Sequence, residues 1–119
     1  MSDEIPTIAL TIGDPAGIGP EIVAKALADD AWFGRLVPVV VGSTHVMREV
    51  VHSCRLPLEV RAVDSPAQAK GEPGYLDLID CAVPTHFEYG LVSAECGRAA
   101  VAYIEKACAL ARLGRWTAW

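Results

Sequence analysis

The chain has no long hydrophobic run, no run of Lys or Arg and no Cys-x-x-Cys pair in its 119 residues. Each absence removes a class of function. A membrane-spanning helix needs about 20 consecutive apolar residues, and no stretch here approaches that length. The N-terminus "MSDEIPTIAL" sets two acids ahead of the first apolar stretch, where a secretory leader carries positive charge. With 15 acidic against 10 basic residues, a net charge of −5 and a pI near 5.0, the composition excludes a basic surface for nucleic acid or anionic lipid. Cys54, Cys81, Cys96 and Cys108 have no zinc-like spacing. Cys96 and Cys108 fall on one predicted helix, about 18 Å apart along its axis, too far to bridge each other. These features predict a cytoplasmic protein with reduced, structural thiols, and no nucleic-acid or membrane partner.

What is present is globular. The chain is 52% hydrophobic and 21% charged, with a mean hydropathy of +0.30, enough for the core of one small domain. "TIALTI" (Thr7–Ile12) is a β-branched apolar run that stops at a glycine and reads as a buried strand. "EIVAKALADD" continues as a helix, with Pro20 suited to its first position and Glu21 favoured by the helix dipole. "VPVVVG" (Val37–Gly42) is a strand covered on both faces, with Pro38 tolerable only near its start. "STHVMREVVHSC" is a second helix capped by Ser43 or Thr44. "LPLEVRAV" (Leu56–Val63) alternates apolar and charged residues, as a strand near a sheet edge does. This alternation of strand and helix predicts an α/β fold, a parallel-type sheet with flanking helices.

After a turn-rich stretch at "DSPAQAKGEPG", "YLDLID" is a short strand, and Asp77 and Asp80 read as loop polar groups at its end. "SAECGRAAVAYIEKACALARLG" (Ser93–Gly114) is the clearest helix, with Ser93 as cap, Glu95 in the first turn and Gly114 as stop. Gly97, Val101, Ile104, Cys108 and Ala111 recur at helical spacing and are its predicted buried stripe.

The stretch "TIGDPAGIGPEIV" (Thr11–Val23) concentrates three glycines and two prolines between a strand and a helix. It is not a Walker loop, which needs Lys followed by Ser or Thr after its last glycine. Nor is it a G-x-G-x-x-G fingerprint, because Gly13, Gly17 and Gly19 have the wrong order. Glu21 also occupies the charge position that a phosphate would take at the helix start. Two readings stand: a tight strand-to-helix connection, or a ligand-adjacent loop whose bare backbone lets a cofactor lie close.

"IALTIGDPAGIGPEIVAKAL", "VRAVDSPAQA" and "GLVSAECGRAAVAYIEKA" together resemble the 4-hydroxythreonine-4-phosphate dehydrogenases, from about Ile5 to Gly114. More distantly the opening motif is similar to that of the isocitrate and isopropylmalate dehydrogenases. The resemblance implies the N-terminal part of an isocitrate/isopropylmalate dehydrogenase-like fold in an NAD-dependent (or NADP-dependent), homodimeric oxidoreductase with a divalent metal. That family oxidises the secondary alcohol of a four-carbon phosphorylated hydroxy acid, and the β-keto acid formed loses CO₂; its best-known role is pyridoxal phosphate biosynthesis. Carried over, the motif makes Gly13, Asp14, Gly17, Ile18 and Gly19 the expected cofactor-side loop.

The family's metal-binding histidines and substrate-phosphate contacts belong to segments this chain does not contain. His45 and His52 are seven residues apart on a predicted helix, unsuited to one metal, so these two and His86 are expected to be surface or packing residues. No catalytic or metal-ligating residue is therefore assigned. Residues 1–114 are expected to be a partial dehydrogenase domain, inactive alone, with a non-catalytic, partner-binding remnant as the alternative. The ending "RWTAW" replaces the strand of the family pattern and reads as an aberrant tail over 115–119. The Trp116 codon followed by the first two bases of Thr117 contains GAC, an Asp codon, in a shifted frame. A frameshift is thus expected, with truncation or divergence as the alternative. Resequencing should find family-like sequence in another frame beyond the Trp119 codon; none there excludes the frameshift.

Overall fold

The structure is a computed structural model, described here over residues 5–81 and 94–112. Its centre is a four-stranded, all-parallel sheet in the order β1-β2-β4-β3. The strands are β1 (Thr7–Thr11), β2 (Val37–Gly42), β3 (Glu59–Ala62) and β4 (Tyr75–Asp80). Three helices accompany them: α1 (Gly19–Ala28), α2 (Thr44–Ser53) and α3 (Ala94–Arg112). The parallel α/β class expected from the alternation is therefore the observed one.

Packing follows from burial along the strands. Val39, Val40 and Val41 are consecutive and none retains exposed surface. Successive strand residues point to opposite faces, so both faces at β2 are covered. α2 packs on β3 and β4, with α1 against α2, while α3 packs on β2 and β1. Leu76 and Leu78 of β4 join the same core as Met47 of α2 and Tyr103 of α3. Pro38 fits inside the sheet for a specific reason. The preceding N–H, of Val37, reaches the Pro6 carbonyl on the β1 side (2.8 Å). The missing donor of Pro38 thus faces β4, whose pairing with β2 begins only at Val40.

β1 and β3 are the edges of this sheet, which agrees with the alternating pattern of "LPLEVRAV". β3 and β4 are parallel neighbours, joined by residues 63–74 with a single 3₁₀ turn, Pro66–Gln68. The join is held by a buried charge. Asp77 lies inside β4 with 3% of its surface exposed. Its Oδ1 accepts from Arg61 Nε at 2.6 Å, and its Oδ2 from Arg61 Nη2 at 3.2 Å and the Lys70 N–H at 3.1 Å. The Arg61 guanidinium also stacks 4.3 Å from the Tyr75 ring centroid. Asp77 is thus a strand residue that fastens the edge strand and the following loop, correcting its reading as a loop polar group.

The predicted stripe of α3 also needs correction. The buried residues are Cys96, Ala99, Tyr103 and Ala107, while Val101 and Ile104 are 54% and 49% exposed and Gly97 is exposed. Both sets have helical spacing. The sheet took the set that brings in an aromatic ring, the largest apolar surface available on the helix. Ser93, His86, Gly114 and the 115–119 tail lie outside the described residues.

Arg61→Ala should destabilise the protein by about 2–3 kcal/mol, because it leaves a buried carboxylate with only a backbone donor. Urea denaturation of the variant checks this; a loss below about 0.5 kcal/mol would mean that Asp77 is held mainly by the Lys70 N–H.

Candidate functional site

The glycine-rich loop runs from the end of β1 into α1. Ile12 is fully buried, and the chain must turn at once after it. Gly13 makes that turn at φ +69°, in the left-handed region. Asp14 then sets the loop: its Oδ1 accepts the Ala16 N–H at 2.8 Å and its carbonyl accepts the Gly17 N–H at 2.9 Å. Pro15 and Ala16 are buried beneath, while Gly17 and Ile18 face outward, Ile18 with 73% of its surface exposed. α1 begins at Gly19, so Pro20 is its second residue, still within the turn where a missing N–H costs nothing. Ile18 caps that helix without a side-chain hydrogen bond.

Gly17 and Ile18 wall a groove of about 340 Å³, shared with Ala16, Glu21 and the α2 end at Val50, Ser53 and Cys54. Of the five residues carried by the motif, these two line the groove. Gly13, Asp14 and Gly19 shape the loop behind it. The α2 side of the groove and Glu21 were not expected from the sequence. Cys54 lies 33 positions from Glu21, and only the α1–α2 packing brings them together.

Electrostatics in the groove centre on Glu21. Its Oε1 pairs with Lys25 Nζ at 2.7 Å and accepts from Cys54 Sγ at 3.7 Å. The hydrogen bond from Lys25, and then its charge, hold the Glu21 carboxyl below the ordinary carboxylate range, and Glu21 raises Lys25 in return. The anionic carboxylate beside the helix start leaves the groove suited to a neutral, largely apolar group rather than to a phosphate.

The α2 start is closed to ligands by its own caps. Ser43 Oγ accepts the Val46 N–H at 3.2 Å, and Asp80 Oδ1 accepts the Thr44 N–H at 2.8 Å. Asp80 at the end of β4 thus has a structural task across the sheet. Nearby, the Tyr103 hydroxyl is buried with no hydrogen-bond partner among the described residues. Burial, with lesser contributions from Cys81, Asp80, Cys96 and Asp14, pushes its pKa upward.

For a metal, the described residues do not fit. Among them no three His, Cys, Asp or Glu side chains come together. His45 pairs with Glu49 at 3.1 Å on the surface of α2, and His52 sits in the last turn of that helix. Among the described residues no cysteine is in a disulfide, and no helix is long and apolar enough to cross a membrane.

Comparison with known proteins gives a consistent answer. The family model "Pyridoxal phosphate biosynthetic protein PdxA" matches residues 35–119, a segment that excludes the glycine-rich loop. The D-threonate 4-phosphate dehydrogenase of Cupriavidus necator is 39% identical over 113 residues, covering 94% of this chain and 34% of that protein. The 4-hydroxythreonine-4-phosphate dehydrogenase of Trichlorobacter lovleyi is 37% identical over 123 residues, covering 96% and 35%. The crystal structure of a 4-hydroxythreonine-4-phosphate dehydrogenase from Burkholderia phymatum superposes with a TM-score of 0.89 at 32% identity, covering 95% of this chain and 34% of that one. The chain spans about a third of the length of the relatives it matches.

The loop glycines should rank by geometry. A Cβ on Gly19 would collide with the Ile12 carbonyl oxygen, so Gly19→Ala should cost about 3 kcal/mol. Gly13→Ala meets no atom but keeps a positive φ, and should cost about 1 kcal/mol. Gly17→Ala, whose Cβ would lie 3.3 Å from the Asp14 carbonyl oxygen, should cost least. Equilibrium unfolding of the three variants checks the order.

Proposed function

We infer, from the premise that the chain belongs to the PdxA family, that it is a segment of a nicotinamide-dependent, metal-assisted dehydrogenase. The substrate class is a four-carbon phosphorylated hydroxy acid such as 4-hydroxythreonine 4-phosphate or a phosphorylated threonate. The reaction oxidises the secondary alcohol, and the β-keto acid so formed loses CO₂. The proposed setting is a cytoplasmic homodimer, with residues 1–114 as a partial domain.

The observation that carries the reading is the groove at the glycine-rich loop. A cavity of about 340 Å³ lies at the small end of the range for ligand sites. Its walls are the bare backbone of Gly17 and the apolar side chains of Ala16, Ile18 and Val50. They suit the planar, uncharged part of a dinucleotide. Ile18, exposed and unpacked, gives such a ring a flat face. Ser53 and Cys54 offer it hydrogen-bonding partners from α2. Glu21 keeps phosphate off the start of α1, so the phosphates of the cofactor must leave the groove on another side. A nicotinamide held there would supply the acceptor for the hydride of the alcohol carbon. No step is assigned to a metal, because the described residues do not fit one.

A second reading rests on α3. Gly97, Val101 and Ile104 form an exposed apolar stripe on a helix whose other face is fully used. Such a stripe favours a non-catalytic module that associates with a full-length relative.

The purified chain should bind NAD by calorimetry, and Ile18→Asp should weaken that binding about tenfold. Binding unaffected by Ile18→Asp removes the loop from the cofactor site. The chain alone should not turn over 4-hydroxythreonine 4-phosphate; measurable NADH production would overturn the proposed inactivity. Co-elution with an intact relative on size exclusion, lost in Val101→Glu, would favour the second reading.

A further inference from the structure

α2 has a second groove along its other side, and its end has an unusual backbone. The helix closes with two backbone hydrogen bonds: Arg55 N–H to the His52 carbonyl at 3.1 Å, and Leu56 N–H to the Val51 carbonyl at 3.0 Å. This pair of bonds defines the Schellman closure, in which one residue adopts the left-handed conformation and is usually glycine. Here that residue is Arg55, at φ +52°, the one non-glycine with positive φ among the described residues. An L-residue there is less stable than glycine. The closure therefore carries a side chain that it does not need for its own stability.

That side chain lines an open groove of about 760 Å³ between the end of α2 and the start of β3. Arg48 and His52, four residues apart and so on one helix face, line it with Arg55, above half-buried Leu56 and Leu58. Glu59 at the start of β3 is the one carboxylate on the lining. Arg48, His52 and Arg55 are all exposed, and the structure gives none of them an ion-pair partner among the described residues. In a chain of net charge −5, two arginines and a histidine gather on this lining, Glu49 of the same helix being paired with His45, and they make a local anion site. Arginine pairs bidentately with phosphate oxygens.

We propose that this groove binds a nucleotide-sized phosphate ester, its phosphoryl end on Arg48 and Arg55 and its organic part on Leu56 and Leu58. Glu59 repels the anion from the β3 side and accepts from a ligand hydroxyl there, which fixes the ligand's direction. The site is separate from the loop groove: α2 is the wall between them, with Val50, Ser53 and Cys54 facing one and Arg48, His52 and Arg55 the other.

The test is titration of the purified chain with ADP, with adenosine and inorganic phosphate as partial ligands, read by calorimetry and thermal melting. ADP should bind more tightly than phosphate, and adenosine weakest. Arg48→Ala and Arg55→Gly should each weaken ADP about tenfold. Arg55→Gly should at the same time raise the melting temperature of the free protein, since glycine relieves the left-handed closure. Arg35→Ala, which removes an exposed charge elsewhere, should leave ADP affinity unchanged. No ADP binding, binding indifferent to Arg48 and Arg55, or loss equal to that in Arg35→Ala would each overturn the proposal.

Discussion

Ile12 is held between two glycines, and the carboxyl end of the sheet is built on that grip. Its side chain is fully buried. A Cβ on Gly42 would come within 2.8 Å of Ile12 Cδ1, and one on Gly19 would strike its carbonyl oxygen. The end of β1, the end of β2 and the first turn of α1 therefore meet closely around a single residue, β2 against its side chain and α1 against its carbonyl. Because the chain cannot spread here, the loop between Gly13 and Gly19 must arch outward, and the arch presents Gly17 and Ile18. The shape of the groove is thus a by-product of tight packing beneath it. Asp14, the charged member of the motif, spends its carboxylate on the arch itself.

Local chemistry made most of the fold legible. The strand over "TIALTI", the Ser43 cap of α2, the buried run of β2 and the edge position of β3 each follow from residue types within a few positions. What failed to be legible depended on choices between equivalent local answers, or on distant neighbours. α3 has two apolar stripes offset by one or two residues, Cys96–Ala99–Tyr103–Ala107 and Gly97–Val101–Ile104–Cys108, and periodicity alone cannot say which meets the sheet. Asp77 looks like a turn residue beside Asp80 until Arg61, 16 positions earlier, is brought alongside by the parallel pairing of β3 with β4. The same holds for the site. The motif pointed to the loop, but half of the groove comes from the end of α2, which no local signal joins to Glu21.

α2 is a ten-residue helix with unlike surroundings on its two sides. Toward α1 the nearest charge is the Glu21 carboxylate, already paired with Lys25. Toward β3 the charges on the helix end are Arg48 and Arg55, for which no ion pair is found among the described residues, with Glu59 across the groove from them. A short helix thus separates a region that repels anions from one that attracts them, within the width of a single backbone. The division arises from helical spacing, because residues 50, 53 and 54 and residues 48, 52 and 55 fall on different faces of one cylinder.

The two margins of the sheet differ in a way that bears on self-assembly. β3 is four residues long and carries Glu59 and Arg61, which discourages another strand from adding there. β1 has five residues, "TIALT", and no charge. Copies that meet strand against strand through β1 would present only guarded margins afterwards, so the contact closes as a pair related by a two-fold axis. An endless fibre requires both margins to be adhesive, and among the described residues this sheet offers one.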